Sequence, residues 1–155
     1  MLPIAHIASA LLVNRIAGLD DDPMPSIAGA LVPDALDKTL SWVLGATPSA
    51  RYIGHTPLLA AGAALVAAPI VGRRRAAAFG VAYIAHLVGD LWEHGHVPWL
   101  MPLKHYEEKG ERWQLHITPG SALLELLGAA YIAFLAKHGR AASRSDDLAS
   151  LGQVE

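Results

Sequence analysis

Two long apolar stretches joined by a short polar connection constrain this fold more than any other feature of the sequence. Residues 52–72 and 76–89 contain no Asp, Glu, Lys or Arg, and Gly72-Arg73-Arg74-Arg75 joins them. A connection this short makes two consecutive helices antiparallel neighbours. Ala, Leu and Gly dominate the chain, which favours helices over strands. The sequence therefore predicts an all-α protein that contains an antiparallel helical hairpin.

Helix start and stop signals divide the chain into about five helices. Thr56-Pro57 and Thr118-Pro119 each place a capping Thr before a Pro at the first helical position. Asp34 is expected to cap the second helix, which would run to about residue 44. The other four helices are expected at residues 3–17, 57–72, 75–93 and 119–139.

Length, charge and cysteine content narrow the class of protein. At 155 residues the chain fits one domain, and we expect residues 1–139 to form it and residues 140–155 to be a polar, mobile tail. The net charge is −2 and the sequence has no long run of basic residues, so it does not predict the positively charged surface that binds nucleic acid. Because the chain has no Cys, any metal must bind to N and O ligands. The expected fold is a single-domain helical bundle with a metal site at one end.

Membrane association is open at this point. The run at 52–72 leaves about 16 clearly apolar helical positions, fewer than the ~20 that a full span needs. The runs at 76–89 and 121–136 each contain an ionisable residue, His86 or Glu125, that lipid would not tolerate on the outer face. A soluble bundle and a membrane-associated bundle both fit. If the helices span, the arginine connection predicts that this turn is cytoplasmic.

The hairpin brings three potential metal ligands together. His86 and Asp90 lie four residues apart on the fourth helix, so they share a face and can chelate one cation. In an antiparallel hairpin, residues at equal distances from the connection lie opposite each other. With a rise of about 1.5 Å per residue, His55 then lies within one or two turns of His86 and Asp90. The alternative is a buried His that bonds to an Asp one turn away. A divalent metal satisfies several buried polar groups with fewer partners than a hydrogen-bond network does.

Asp34, Asp37 and His6 are further candidates. Asp34 and Asp37 fit helix N-terminal chemistry, but a Pro-Asp-x-x-Asp after an apolar stretch also presents two carboxylates to a cation. His6 taken alone is an ordinary core His, and becomes a ligand candidate within this set. A His/Asp site suits Zn²⁺, Mn²⁺, Fe²⁺ or Ni²⁺, and we expect one or two ions, with zinc as the first choice.

Four segments resemble a known family. They are Gly29-Ala30-Leu31-Val32-Pro33-Asp34-Ala35-Leu36-Asp37, Arg51-Tyr52-Ile53-Gly54-His55-Thr56, Tyr83-Ile84-Ala85-His86-Leu87-Val88-Gly89-Asp90 and Gly95-His96-Val97-Pro98. In this order, and with His6, they resemble the YdjM-like family of membrane-bound, metal-dependent hydrolases over about residues 3–103. The resemblance implies a bacterial inner-membrane location and a metal site that draws on His6, Asp34, Asp37, His55, His86, Asp90 and His96. This chain has Ala50 where the family pattern has a further His.

A more distant similarity is to the zinc-dependent phospholipase C and S1/P1-type nuclease group, which are all-helical enzymes. Their zinc ligands include a His-x3-Asp-x5-His run, and His86, Asp90 and His96 have that spacing. The last ligand pair of that group has no counterpart, because His116 is followed at the required distance by Gly120. One or two metal ions are therefore expected rather than three.

These resemblances imply hydrolysis of a phosphoester, either of a small molecule or of a lipid, by a metal-activated water. Asp34 or Asp37 would be a metal ligand or the general base, and Arg51 would hold an anionic oxygen of the substrate. The alternative is a non-catalytic, membrane-associated helical protein. In that case the His/Asp cluster binds a structural metal or forms a hydrogen-bonded core.

Overall fold

The computed structural model describes residues 3–19, 21–94, 97–101, 103–104 and 118–151. Its five α-helices are α1 (Pro3–Ile16), α2 (Pro23–Lys38), α3 (Pro57–Val71), α4 (Arg73–His94) and α5 (Pro119–Leu151). A π-helical turn, Thr39–Val43, follows α2, and a 3₁₀ turn, Ile53–His55, precedes α3. The described residues contain no strand, so the predicted all-α class is confirmed.

The predicted Thr-Pro helix starts are both present. Thr56 Oγ1 accepts a hydrogen bond from the backbone N–H of Leu59 at 3.2 Å, at the start of α3. Thr118 Oγ1 accepts one from the backbone N–H of Ser121 at 3.1 Å, at the start of α5. Each bond satisfies one of the N–H groups that a helix leaves unpaired in its first turn. α5 continues to Leu151, past the predicted end at residue 139.

The second helix begins earlier than predicted. Its cap is Asp22, whose carboxylate accepts a hydrogen bond from the backbone N–H of Met24 at 2.9 Å, and Pro23 occupies the first helical position. The helix continues through Pro33, so Asp34 and Asp37 lie in its last turns. The prediction that Asp34 caps a helix was wrong, because the Asp-Pro start lies upstream, in a stretch that was interpreted as a loop.

Small residues let the central helices approach closely. Ala10, Ala30 and Ala82 form a buried cluster between α1, α2 and α4. Gly29 of α2 lies against the backbone of Phe79 in α4, where even a Cβ atom would clash. The distance between packed helices depends on the side chains at their contact, and these side chains are minimal. The close packing brings groups on α1, α2 and α4 within direct reach of one another.

A buried polar contact shows which helix ends lie together. Asn14, near the end of α1, donates from Nδ2 to Ser26 Oγ at 2.7 Å and to the Ala78 carbonyl at 2.8 Å. Ser26 and Ala78 lie near the starts of α2 and α4, so both helices run antiparallel to α1. We call this the arginine end, because it includes residues 73–75. The opposite end, which we call the site end, combines the start of α1, the ends of α2 and α4, and the start of α3.

Candidate metal centre

Five buried polar side chains converge at the site end. His6 of α1, Asp37 of α2, His55 of the 3₁₀ turn, and His86 and Asp90 of α4 are each no more than 1% exposed. Burying ionisable groups without partners is costly, so such a cluster must be held by hydrogen bonds, ion pairs or a metal. The helical hairpin brings His55, His86 and Asp90 together, as the sequence predicted.

Three candidate ligand atoms surround His55 Nε2. It lies 3.3 Å from His86 Nε2, 3.2 Å from Asp90 Oδ2 and 3.6 Å from Asp34 Oδ1. His86 Nε2 lies 3.9 Å from Asp90 Oδ2. A tetrahedral ion with bonds of about 2.0–2.2 Å separates its ligands by about 3.3–3.6 Å. The separations from His55 Nε2 are close to these values, and Asp34, His55 and His86 form one ligand group, with atoms within 4.8 Å of one another.

Both histidines direct Nε2 towards this point. His86 Nδ1 lies 2.7 Å from the carbonyl oxygen of Ala30, which can only accept, so Nδ1 carries the proton and donates it. His55 Nδ1 likewise donates to Asp37 Oδ2 at 2.8 Å. A hydrogen bond from one ring nitrogen sets the tautomer and the orientation of the imidazole, as in known metal sites. In its neutral form each ring offers its Nε2 lone pair as a ligand.

Asp37 lies behind His55 and holds the loop that carries it. Its carboxylate also accepts hydrogen bonds from the backbone N–H groups of Tyr52 at 2.5 Å, Gly54 at 2.7 Å and His55 at 3.1 Å. Gly54 is required here, since a Cβ would come within 2.8 Å of the Asp37 carboxylate and of the Pro33 carbonyl. With both oxygens engaged, Asp37 orients His55 and is not grouped with the converging ligand atoms.

His6 approaches Asp90 from the other side. Its Nε2 lies 3.2 Å from Asp90 Oδ1, and its ring stacks on that of His86 with centroids 3.9 Å apart. Neither ring nitrogen of His6 is aligned for a hydrogen bond within the part of the chain that the structure describes. Because buried polar atoms normally have hydrogen-bond partners, an unpaired buried imidazole suits a metal ligand. His6, His86 and Asp90 form a second ligand group, with atoms within 4.8 Å of one another.

Two cations flank the cluster at its most accessible edge. Arg51 Nε donates to Asp90 Oδ2 at 2.8 Å, and Lys38 Nζ donates to Asp34 Oδ2 at 2.5 Å. The side chains of Asp34 and Arg51 are 17% and 21% exposed, whereas that of His55 is 0% exposed. Solvent therefore reaches the site along the edge formed by Asp34 and Arg51.

The carboxylates around His55 hold a proton on it in the metal-free protein. Burial by itself lowers the pKa of His55, but hydrogen bonds to Asp34, Asp37 and Asp90 outweigh burial and raise this pKa to about 10. The proton on Nε2 lies among the candidate ligand atoms of Asp34, His86 and Asp90. A divalent cation at this point would replace that proton and satisfy the same carboxylates.

The structure brings most of the predicted site residues together. Those that meet are His6, Asp34, His55, His86 and Asp90, with Asp37 and Arg51 in direct contact with members of the group. His96 lies outside the described residues. The contact of Lys38 with Asp34 was not predicted. The two residues are four positions apart, a spacing that brings side chains together when both residues lie inside one helix. The bond from His86 to the Ala30 carbonyl could not be predicted, because every residue has a backbone carbonyl and the sequence does not indicate which one is used.

Glu125 is another contact that the sequence did not reveal. Its Oε1 accepts a hydrogen bond from the backbone N–H of Ala5 at 3.1 Å, which ties α5 to the first turn of α1 beside His6. Glu125 is an acidic residue within an otherwise apolar helix. Such a residue needs a partner inside the bundle, so the sequence could have indicated a contact of this kind.

Comparison with known families places these observations in context. A family model described as YdjM inner membrane protein matches residues 1–147. The chain belongs to the YdjM inner membrane protein family. No curated protein and no solved structure matches this YdjM-family chain. Within the described residues, Pro119–His138 is long and apolar enough to cross a membrane, with a mean hydropathy of 1.5. The predicted membrane location and the YdjM resemblance are confirmed.

Proposed function

We propose that this YdjM-family protein is a metal-dependent hydrolase that holds an ion with Asp34, His55, His86 and Asp90. The observation that carries the proposal is the approach of Asp34, His86 and Asp90 to His55 Nε2, at separations of 3.2–3.6 Å. Two imidazoles and two carboxylates suit zinc, with Mn²⁺, Fe²⁺ and Ni²⁺ as alternatives. His6, His86 and Asp90 form the second ligand group, where a second ion would bind.

An accessible edge favours catalysis over a purely structural metal. Structural zinc sites are closed by four protein ligands, whereas catalytic sites keep a position for water or substrate. Asp34 is the most exposed member of this group at 17%, so it is the ligand that can yield its position or accept a proton. Lewis-acid activation of water and polarisation of an ester oxygen are the chemistry that a divalent cation supplies when bound.

The surrounding charges favour an anionic ester. Arg51 and Lys38 place two positive charges at the accessible edge, each beside a carboxylate of the site. An Arg at such an edge suits the oxygens of a phosphoryl group. The shared His-x3-Asp-x5-His spacing with zinc-dependent phospholipases and S1/P1-type nucleases also favours a phosphoester. Asp37 contributes by keeping His55 in orientation, and Arg51 by balancing the charge of Asp90.

Metal analysis is the first test of this proposal. Protein purified in detergent without an affinity tag should contain one or two equivalents of a transition metal by mass spectrometry. The double variant His86→Ala/Asp90→Ala should lose it, and His138→Ala, which removes an exposed His of α5, should keep it. Equally negligible metal in all three proteins, even after incubation with Zn²⁺ or Mn²⁺, would sink the proposal.

A substrate panel then separates catalysis from a structural role. Phosphomonoesters and phosphodiesters, both water-soluble and lipid-borne, should be hydrolysed by the Zn²⁺- or Mn²⁺-loaded protein but not by the double variant. Metal bound at full occupancy with no hydrolysis of any of these esters would favour a structural metal.

A further inference from the structure

α3 is an apolar helix that packs on α4 with one side and leaves its outer side uncovered. It has 15 residues and no polar side chain, and among them only Ala60 is buried. Leu65, Val66 and Ile70 are 74%, 70% and 78% exposed. Soluble monomers rarely expose a continuous apolar surface of this extent.

The same character extends to two further helices. Leu126 and Phe134 of α5 are 69% and 53% exposed, and Leu12 and Ile16 of α1 are 45% and 79% exposed. Because the chain belongs to an inner-membrane family, lipid is the occupant that fits these surfaces. Pro119–His138 of α5, with 20 residues, is about 30 Å long at about 1.5 Å per residue, which matches a hydrocarbon core of about 30 Å.

α5 runs in the same direction as α1. Glu125 bonds to Ala5, and Gly128, about one turn later in α5, packs against Ile4 and Ala5 and also reaches Ala8, one turn later in α1. Lys137 follows Glu125 by 12 residues, or about 18 Å along the helix, and so comes level with the end of α1. The last turns of α5 therefore lie towards the arginine end.

The basic residues are unequally divided between the two ends. Of the eight Lys and Arg residues whose side chains the structure describes, five belong to the arginine end: Arg15, Arg73, Arg74, Arg75 and Lys137. The other three, Lys38, Arg51 and Lys104, belong to the site end. Ion pairs occur at both ends, since Lys38 and Arg51 pair with Asp34 and Asp90, and Arg74 and Arg75 pair with Asp21 and Asp22. An excess of Lys and Arg beside membrane segments marks the cytoplasmic side, and acidic residues count little in this rule.

We infer that lipid covers α3 and α5, that the arginine end faces the cytoplasm, and that the His/Asp site therefore opens on the opposite side of the membrane. Any substrate or metal then reaches the site from the non-cytoplasmic side. This orientation does not depend on the proposed hydrolase activity. It rests on where the cations and the His/Asp cluster lie along the same helices.

Single cysteines test the orientation directly, because the chain contains no Cys of its own. Val43→Cys and Leu103→Cys report on the site end, and Met24→Cys reports on the arginine end; the three native side chains are 75%, 89% and 64% exposed. In spheroplasts, a membrane-impermeant maleimide should label the two site-end cysteines at least tenfold faster than Met24→Cys. After lysis, Met24→Cys should label at a comparable rate. The reverse order, or equal labelling before lysis, would overturn the inference.

A fourth cysteine tests what covers α3. Leu65→Cys lies midway along the apolar surface. Labelled in detergent with a small fluorophore and reconstituted into vesicles, it should be quenched by lipids with brominated chains but not by aqueous iodide. If neither quencher acts, another protein surface covers α3 and the lipid assignment is wrong. If iodide quenches the fluorophore, the helix faces water and the assignment is also wrong. These results are independent of metal content and hydrolysis.

Discussion

His55 and Asp37 form a fully buried pair in which His55 Nδ1 lies 2.8 Å from Asp37 Oδ2. The pair joins the end of α2 to the 3₁₀ turn before α3, and it determines which nitrogen of His55 faces the candidate metal position. Asp37 thus orients His55 but does not belong to either group of candidate metal ligands. This arrangement separates two roles, ligand and orienting group, that the sequence could not distinguish.

Asp37→Asn should weaken metal binding without abolishing it. Loss of an orienting carboxylate behind a metal-bound His typically lowers metal affinity about 10–100-fold. Competition against a chromophoric chelator measures this change. Asp22→Asn, at the opposite end of α2, is the matched control and should leave the affinity unchanged. An unchanged affinity in Asp37→Asn would show that His55 does not depend on this pair.

Gly54→Ala should destabilise the protein. Its methyl group would lie within 2.8 Å of the Asp37 carboxylate and the Pro33 carbonyl, and overpacking of this kind costs about 1–3 kcal/mol. Gly62→Ala, in α3, has no atom within 4 Å of the added methyl group and should be neutral or stabilising. Thermal unfolding in detergent compares the two variants. Equal stability would contradict the close packing of Gly54 on Asp37.

Metal removal should lower the stability of the wild-type protein. A metal that binds only the folded state, at a concentration about 100 times its dissociation constant, adds about 2.7 kcal/mol. A chelator should therefore lower the unfolding temperature of the wild type and leave that of His86→Ala/Asp90→Ala unchanged. The same decrease in both proteins would mean that the chelator acts elsewhere.

Asn14→Ala should affect stability but not metal content. Asn14 donates two buried hydrogen bonds that tie α1 to α2 and α4 at the arginine end. Its removal deletes both hydrogen bonds, and each bond of this kind contributes about 0.5–1.5 kcal/mol to stability. The unfolding temperature should fall while the protein as purified retains its metal. Loss of metal in a protein that still folds would show that the two ends of the bundle are coupled.

The sequence predicted the part of the site that depends on local spacing. His86 and Asp90 share a helix face because they are four residues apart, and the short arginine connection brings His55 to the same level. These relations follow from helix geometry alone. The position of α2 was harder to predict, because Pro33-Asp34 looks like a helix start and the true start at Asp22-Pro23 looks like a loop.

What the sequence determined by itself was the choice of His and Asp residues as candidate metal ligands, the helical class and the α3–α4 hairpin. Only the tertiary structure decided their roles. Asp34 and Asp37 differ by three residues in one helix, yet one reaches the ligand point and the other is enclosed by the backbone N–H groups around Gly54. The direction of the Asp37 carboxylate depends on a loop 15 to 18 residues away, and His6 meets Asp90 only because small residues let α1, α2 and α4 pack closely. Such contacts between distant segments depend on packing, which no local spacing specifies.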